Sequence, residues 1–168
     1  MQLYLIRHAH AVTAEENPSR PLSPRGREEC ARLAAFFQRN GALHPDQLWH
    51  SPLARSLETA RLLADGLKLD KVLVETPGLL PEDNPAEIAD RIDKSNTIKS
   101  LALVGHEPHL GALATLLVRG KDHPSAFDLK KCAVLAFAPA GGVHKKSGRP
   151  RWHALWHVEP ALLGPPIK

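Results

Sequence analysis

The chain opens with Leu3-Tyr4-Leu5-Ile6-Arg7-His8, four apolar residues followed by a cation and an imidazole. A short, continuous apolar run of this kind is typical of a strand that is buried on both faces of a parallel sheet. Ligands of open α/β sheets bind beyond the carboxyl ends of the strands. The stretch therefore predicts an α/β fold and directs attention to Arg7 and His8 as candidate functional residues.

Strand and helix signals alternate along the rest of the chain. Further strands are predicted at residues 47–50, 71–75 and 101–104. Helix starts are marked by a capping side chain, a proline at the first helical position, or both, at Ser23-Pro24, Ser51-Pro52, Asn84-Pro85 and Pro108. The first helix is expected to end near Asn40, before Gly41. This alternation predicts a three-layer α/β/α sandwich around a mainly parallel central sheet.

Two apolar segments near the end of the sequence predict a C-terminal hairpin. Residues 133–137 and 152–156 flank a connection rich in Gly, Lys, Arg and Pro. The basic stretch of this connection, residues 144–151, is interpreted as a solvated hairpin tip. A nucleic-acid site is the alternative, but no aromatic residues interleave with the cations, so no nucleic-acid partner is expected.

Length and composition indicate one ordinary domain. The 168 residues are expected to form a single domain over 1–160 and an irregular tail over 161–168. No apolar run approaches the roughly 20 residues that span a bilayer, so no membrane partner is expected. The N-terminal residues are interpreted as a strand and not a signal peptide, which favours the cytoplasm. Cys30 and Cys132 are too few for a disulfide framework and are expected to be buried thiols.

Cationic and imidazole side chains follow three of the predicted strands. The first strand is followed by His8 and ends at Arg7, the second runs into a helix start that carries Arg55, and the fourth is followed by His106. Helix N-termini favour anions, and arginine offers paired donors that match phosphate oxygens. These four residues together predict a pocket for a tetrahedral dianion, which agrees with the formal net charge of +4.

These motifs resemble those of the histidine phosphatase superfamily, the phosphoglycerate-mutase-like fold, and within it the small SixA-type phosphohistidine phosphatases. The superfamily's RHG motif corresponds to Arg7-His8-Ala9, its SPxxRxxxTA motif to residues 51–60, and its GH motif to Gly105-His106. Residues 20–26, Arg-Pro-Leu-Ser-Pro-Arg-Gly, are similar to the SixA-type RPLTxxG. The motifs occur in the family's order, and the resemblance extends from Leu3 to about Leu117.

The resemblance implies a reaction that needs no metal or other cofactor. His8 would attack phosphorus as a neutral imidazole and form a phosphohistidine that water hydrolyses. Arg7, Arg55 and His106 would bind the phosphoryl oxygens and neutralise their charge. The two arginines are expected to lower the pKa of His8, and a hydrogen bond from its other ring nitrogen to a backbone carbonyl would fix the reactive tautomer.

Two positions, Ala9 and Glu82, depart from the family pattern, and a third, Arg20, has two interpretations. Ala9 stands where the family usually has glycine, so the backbone must accommodate a Cβ there. Glu82 is a candidate general acid, although it is displaced from a clean match and a solvated charge is the alternative. Arg20 is a candidate phosphate ligand or a plain loop arginine. A phosphoramidate depends less on a strong acid than an ester does, because its bridging nitrogen is more basic.

The sequence also contains two patterns that superficially suggest metal. His8 and His10 form a His-x-His pair, but nearby arginines would repel a cation and no carboxylate is well placed, so His10 is interpreted as a wall or surface residue. In His106-Glu107-Pro108-His109 the second histidine is one residue too early for a zincin motif.

Three functions are carried forward from the sequence. The resemblance favours removal of phosphate from a phosphohistidine in a signalling or phosphotransfer protein. The first alternative is a small-molecule phosphomonoesterase that uses the same nucleophile. A non-catalytic phosphate-binding module is a second alternative, although it would be expected to have lost one of His8, Arg55 and His106.

Overall fold

A computed structural model describes residues 1–70 and 72–164. Its elements, in chain order, are β1 (Gln2–Arg7), α1 (Pro24–Asn40), β2 (Gln47–His50), α2 (Ala54–Leu67), β3 (Leu73–Glu75), α3 (Pro85–Lys94), β4 (Ser100–Gly105), α4 (His109–Arg119), β5 (Val134–Val143) and β6 (Pro150–Val158), followed by a short 3₁₀ turn at Pro160–Leu162. The predicted α/β alternation and the closing hairpin are confirmed.

The strands form one six-stranded sheet in the order β3-β2-β4-β1-β5-β6. The pairs β3-β2, β2-β4 and β4-β1 are parallel, and the pairs β1-β5 and β5-β6 are antiparallel. β1 and β4 are neighbours with Arg7 opposite Gly105, so the residues that follow these two strands meet at one edge of the sheet. The mainly parallel sheet is therefore what brings the first and last predicted motifs together.

Side chains of β1 enter both hydrophobic cores. Leu3 and Leu5 pack in the core that α3 and α4 cover, whereas Tyr4 and Ile6 pack in the core under α1 and α2. All four are at most 2% exposed, as a strand that is buried on both faces requires. The molecule is thus a three-layer α/β/α sandwich, as its alternation predicts.

Local signals set the ends of α1. The Ser23 side chain accepts a hydrogen bond from the Gly26 amide, and Gly41 ends the helix with a left-handed φ of 68°. Gly26 also lies against the loop that follows β1: a Cβ there would be 2.0 Å from the carbonyl oxygen of His10. The glycine of the residue 20–26 motif therefore allows α1 to approach the backbone next to His8.

Three local predictions differ from the structure. Ser51 does not cap α2: the helix begins at Ala54 after an N-cap position at Leu53 that makes no side-chain capping bond. β3 begins at Leu73, two residues later than predicted, and Lys71 lies outside the described residues. The predicted irregular tail starts with the 3₁₀ turn at Pro160–Leu162, because Pro160 is buried, and residues 165–168 of that tail lie outside the described part of the chain.

In residues 1–70 and 72–164, no helix combines the length and the apolar character that crossing a bilayer requires.

Candidate active site

A pocket of about 340 Å³ lies where the residues after β1, β2 and β4 converge. It is lined by Arg7, His8, Arg20, Arg55, Pro81, His106, Glu107 and Lys131. All four residues on which the sequence argument depended are in this one set. The structure also brings Arg20 into the pocket, where its Nε donates a 3.3 Å hydrogen bond to the Val12 carbonyl.

His8 is held by backbone contacts on both sides. Its amide donates to the Gly105 carbonyl at 3.0 Å, which fastens the residue to the end of β4. Its ring Nδ1 lies 2.7 Å from the Ala9 carbonyl, so Nδ1 carries the proton and donates. The other nitrogen, Nε2, is then left with a free lone pair, and this is the tautomer that a nucleophilic imidazole needs.

Ala9 accommodates its Cβ without a special backbone conformation. Its side chain is fully buried, and its φ is not among the positive values found in the described chain. Its amide donates to Thr59 Oγ1 at 3.0 Å, and the Thr59 hydroxyl donates to the Arg55 carbonyl at 2.7 Å. Thr59, the threonine of the residue 51–60 motif, therefore couples the backbone after His8 to the first turn of α2.

His106 faces His8 across the pocket. The two ring centroids are 5.0 Å apart, and His106 Nε2 lies 2.6 Å from Ser51 Oγ. Ser51 is fully buried, so its hydroxyl orients an imidazole and does not cap α2. Sequence reasoning missed this role because a Ser-Pro pair is also a common helix start.

Burial keeps both imidazoles neutral. It is the main reason that the pKa of His8 falls to about 4, and the charges of Arg55, Arg7 and Lys131 lower it further against the opposing Ala9 hydrogen bond. Burial also leads in lowering the pKa of His106 to about 3, followed by the neighbouring His8 and Arg55. The arginines were expected from the sequence to lower the pKa of His8, but desolvation lowers it more than their charges do.

The arginines of the pocket are only partly engaged by protein groups. Arg7 Nη1 donates to the Leu129 carbonyl at 2.8 Å. Within the described residues, the buried Nε atoms of Arg7 and Arg55 and the buried Nδ1 of His106 have no hydrogen-bond partner. Buried polar nitrogens without partners are uncommon in proteins, and the two arginines keep N–H donors that no group of the described chain uses.

Two charged pocket residues were not anticipated from the sequence. Glu107 accepts hydrogen bonds from the amides of Leu129 at 2.9 Å and Gly111 at 3.3 Å, and burial raises its pKa. Lys131 enters from the loop before β5. Its position could not be inferred from the sequence, because the sequence does not reveal that β5 pairs with β1.

Glu82 and His10 do not line the pocket around His8, although Pro81, the residue before Glu82, does. Glu82 is exposed and lines a neighbouring pocket of about 320 Å³ together with His109. His10 points to Ser23, with Nδ1 2.8 Å from Ser23 Oγ. Among residues 1–70 and 72–164, no three His, Cys, Asp or Glu side chains converge in a way that could hold a metal ion.

The chain is similar to known proteins in sequence and in fold. Residues 3–80 match the sequence model of the histidine phosphatase superfamily (branch 1). A relative from Picosynechococcus sp. (strain ATCC 27264 / PCC 7002 / PR-6), described as an uncharacterized protein, is 29% identical over 140 residues, which are 80% of this chain and 83% of the relative.

Solved structures share the whole fold. The protein histidine phosphatase SixA in complex with tungstate superimposes with a TM-score of 0.79 at 21% identity, over 96% of this chain and 98% of that one. A SixA-type protein from Agrobacterium tumefaciens gives 0.74 at 21% identity over 95% and 97% of the two chains. The α-ribazole phosphatase from Shigella flexneri gives 0.70 at 16% identity over 92% and 96%.

The match over residues 3–80 contains the first two motifs, and the common fold brings the third motif to the same pocket. The chain is therefore similar to the histidine phosphatase superfamily in sequence over residues 3–80 and in fold over most of its length.

Proposed function

We propose that this protein is a phosphohistidine phosphatase of the cytoplasm, which removes phosphate from a histidine of a signalling or phosphotransfer protein through a covalent intermediate on His8. The observation that carries the proposal is the 2.7 Å contact between His8 Nδ1 and the Ala9 carbonyl. It leaves Nε2 unprotonated in a pocket that Arg7, Arg55 and His106 line. A buried neutral nucleophile surrounded by anion-binding donors is suited to attack on a phosphoryl group.

The reaction would have two in-line displacements. In the first, the lone pair of His8 Nε2 forms a bond to phosphorus while the bond to the substrate nitrogen breaks and its electron pair stays with the leaving imidazole. In the second, a water oxygen attacks phosphorus and the bond to Nε2 breaks, which releases inorganic phosphate and restores His8. Arg7 and Arg55 would neutralise charge on the equatorial oxygens in both steps, where most of the catalysis of phosphoryl transfer lies, and the neutral His106 would offer a hydrogen bond to one of these oxygens.

A P–N substrate is preferred in this proposal because Glu82, the candidate proton donor, is not placed beside His8. Glu82, the acid suggested by the sequence, is exposed and does not line the pocket with His8. An imidazole leaving group is basic enough to depart with a proton from solvent, whereas an alkoxide needs a placed acid. The observed position of Glu82 therefore supports a phosphoramidate more than an ester.

A free-thiol pair supports the proposed compartment. Cys30 and Cys132 are buried with their sulfur atoms 3.9 Å apart and are not joined by a disulfide. Adjacent thiols in this state fit a reducing environment such as the cytoplasm.

One feature favours the small-molecule phosphomonoesterase as a second candidate. Glu107 lines the pocket, and its raised pKa is a property that a general acid needs. Among the structural relatives, one solved structure is a glucosyl-3-phosphoglycerate phosphatase of mycobacteria, with a TM-score of 0.66 at 15% identity. However, both Glu107 oxygens accept backbone hydrogen bonds, and these favour the ionised form.

The intermediate gives the first test. Enzyme that is mixed with substrate and quenched should carry phosphate that is labile in acid and stable in base. His8→Ala should abolish this labelling, and His10→Ala, a histidine two residues away outside the pocket, should retain it. Labelling in the His8→Ala protein would contradict the assignment.

The substrate class is tested separately. Initial rates should be compared for a histidine-phosphorylated protein, an aryl phosphate and a set of sugar phosphates. The proposal expects the highest kcat/KM for the phosphorylated protein, whereas a clear preference for the esters would select the second candidate.

A further inference from the structure

A second depression adjoins the pocket around His8. We call it the basic groove; it has a volume of about 410 Å³ and is lined by Arg7, Arg25, Glu29, Arg32, Lys130, Lys131, Glu159, Pro160 and Ala161. Arg7 and Lys131 line both the groove and the pocket, so the two are continuous. A protein that presents a phosphorylated side chain to His8 would cover part of the basic groove with its own surface.

The groove has a clear excess of positive charge. Five of its residues are cationic and two are acidic. One of the acids, Glu29, has a side chain that is only 5% exposed; its oxygens accept hydrogen bonds from the His10 amide at 3.0 Å and from Arg25 Nε at 2.9 Å. Since this carboxylate is buried and already accepts hydrogen bonds within the protein, it repels an approaching anion only weakly.

Two of the cations are weakly held by their own neighbours. The carboxylate oxygen of Glu28 lies 4.0 Å from Arg32 Nε, at the outer limit of an ion pair, and that Nε has no hydrogen-bond partner within the described chain. Lys130 pairs with Asp128 at 2.5 Å, but both side chains are more than 60% exposed. Exposed pairs of this kind contribute little and can be exchanged for a carboxylate of a partner.

The other basic region of the surface is different. At the hairpin tip, Arg149 already pairs with Asp90 at 2.7 Å and with Asp93 at 3.6 Å on α3. α3 covers the face of the sheet opposite to α1, which carries Arg25 and Arg32 of the groove. The tip therefore offers exposed lysines, Lys145 and Lys146, as a charge-matched control away from the groove.

We propose that the basic groove binds acidic side chains next to the phosphohistidine of a protein substrate. The inference rests on the proposed function, because it assigns the partner of that same site. Complementary charge at such a surface acts mainly by speeding encounter and fixing orientation, and the effect weakens as salt screens it. The phosphoryl group would be recognised in the pocket, and the protein that carries it would be recognised in the groove.

The binding test uses a histidine phosphotransfer domain with an acidic surface, fluorescently labelled and not phosphorylated. Its affinity is measured by anisotropy at low salt for the wild type, for Arg32→Gln/Lys130→Gln and for Lys145→Gln/Lys146→Gln. We expect the groove variant to bind about fivefold more weakly and the control variant to bind like the wild type. Lys130→Gln alone, in a loop, should give about a twofold loss without any change in α1.

A kinetic test uses the same proteins with two substrates. With the phosphorylated domain, kcat/KM should fall in the groove variant by the same factor as the affinity. With free phosphohistidine, which has no acidic surface, kcat/KM should remain unchanged.

Two results would contradict the proposed role of the basic groove. One is that the wild type does not bind the domain, and the other is that the groove and control variants lose affinity equally. A wild type that binds the domain without removing its phosphate would refute the proposed function and leave the groove intact. The two failures are therefore separable.

Discussion

The buried imidazole of His109 leads to a specific prediction about stability. His109 is the first residue of α4 and is 2% exposed, and neither ring nitrogen has a partner within the described residues. Burial lowers its pKa to about 4, while Asp83 acts in the opposite direction. The folded protein therefore keeps this imidazole neutral at a pH at which the unfolded chain protonates it.

The sign and size of the effect follow from proton linkage. An unfolded histidine has a pKa of about 6.5, so between pH 6.5 and 4 the unfolded state binds a proton that the folded state does not. The free energy of unfolding then falls as pH falls, by up to about 1.4 kcal/mol per pH unit for this one residue. Between pH 7 and pH 5 the loss amounts to about 2 kcal/mol.

The perturbation is His109→Leu, which keeps an apolar side chain of similar size and removes the titrating group. Urea unfolding is followed by circular dichroism at pH 7 and at pH 5 for the variant and the wild type. We expect the variant's advantage over the wild type to grow by about 2 kcal/mol between the two pH values, or about 1 M in the urea midpoint. His44→Leu, the same substitution at an exposed loop position, is the matched control.

Parallel pH dependences for His109→Leu and the wild type would refute the reasoning. They would mean that the folded protein protonates His109 as easily as the unfolded chain does. The test depends on how the variant's free energy of unfolding, relative to the wild type, changes between pH 7 and pH 5. A change in packing would shift this free energy equally at both pH values.

Three further predictions concern the pocket and its support. Since burial lowers the pKa of His8 to about 4, kcat/KM per folded molecule, corrected for substrate ionisation, should stay within twofold from pH 7 to pH 5; an ordinary imidazole would lose about 25-fold over the same range. Glu107→Gln should lower kcat/KM about tenfold on phosphohistidine and ester substrates alike, because Glu107 holds Leu129, whose carbonyl holds Arg7; a loss confined to esters would instead identify a proton donor. Gly26→Ala should cost more than about 3 kcal/mol in urea unfolding, because its Cβ would overlap a backbone carbonyl, and a fully stable variant would contradict the observed approach of α1.

The fold was largely predictable because its signals are local. The apolar run of β1 predicts a doubly buried strand, and the Ser23 cap with Gly41 gives both ends of α1. Strand order is not local in this way. That β1 lies between β4 and β5 depends on the packing of helices on both faces of the sheet, which no short segment specifies.

The candidate site was predictable to the extent that its residues follow strands. Arg7, His8 and His106 are set by the carboxyl ends of β1 and β4, and Arg55 by the first turn of α2. Lys131 and Glu107 belong to the pocket through tertiary contacts: one comes from a loop before an antiparallel strand, and the other is held by the amide of Leu129. Sequence reasoning treated Glu107 only as part of an unsuccessful metal motif.

Burial has opposite consequences for activity and for acid stability. It is the largest cause of the low pKa of His8, and therefore of an imidazole that stays neutral well below pH 6.5. The same desolvation acts on His106 and His109, so three buried imidazoles resist protons that the unfolded chain accepts. Each makes unfolding easier by up to about 1.4 kcal/mol per pH unit, in a protein whose total stability is expected to be about 5–15 kcal/mol. Unfolding should therefore set the acid limit of the proposed activity before His8 itself is protonated.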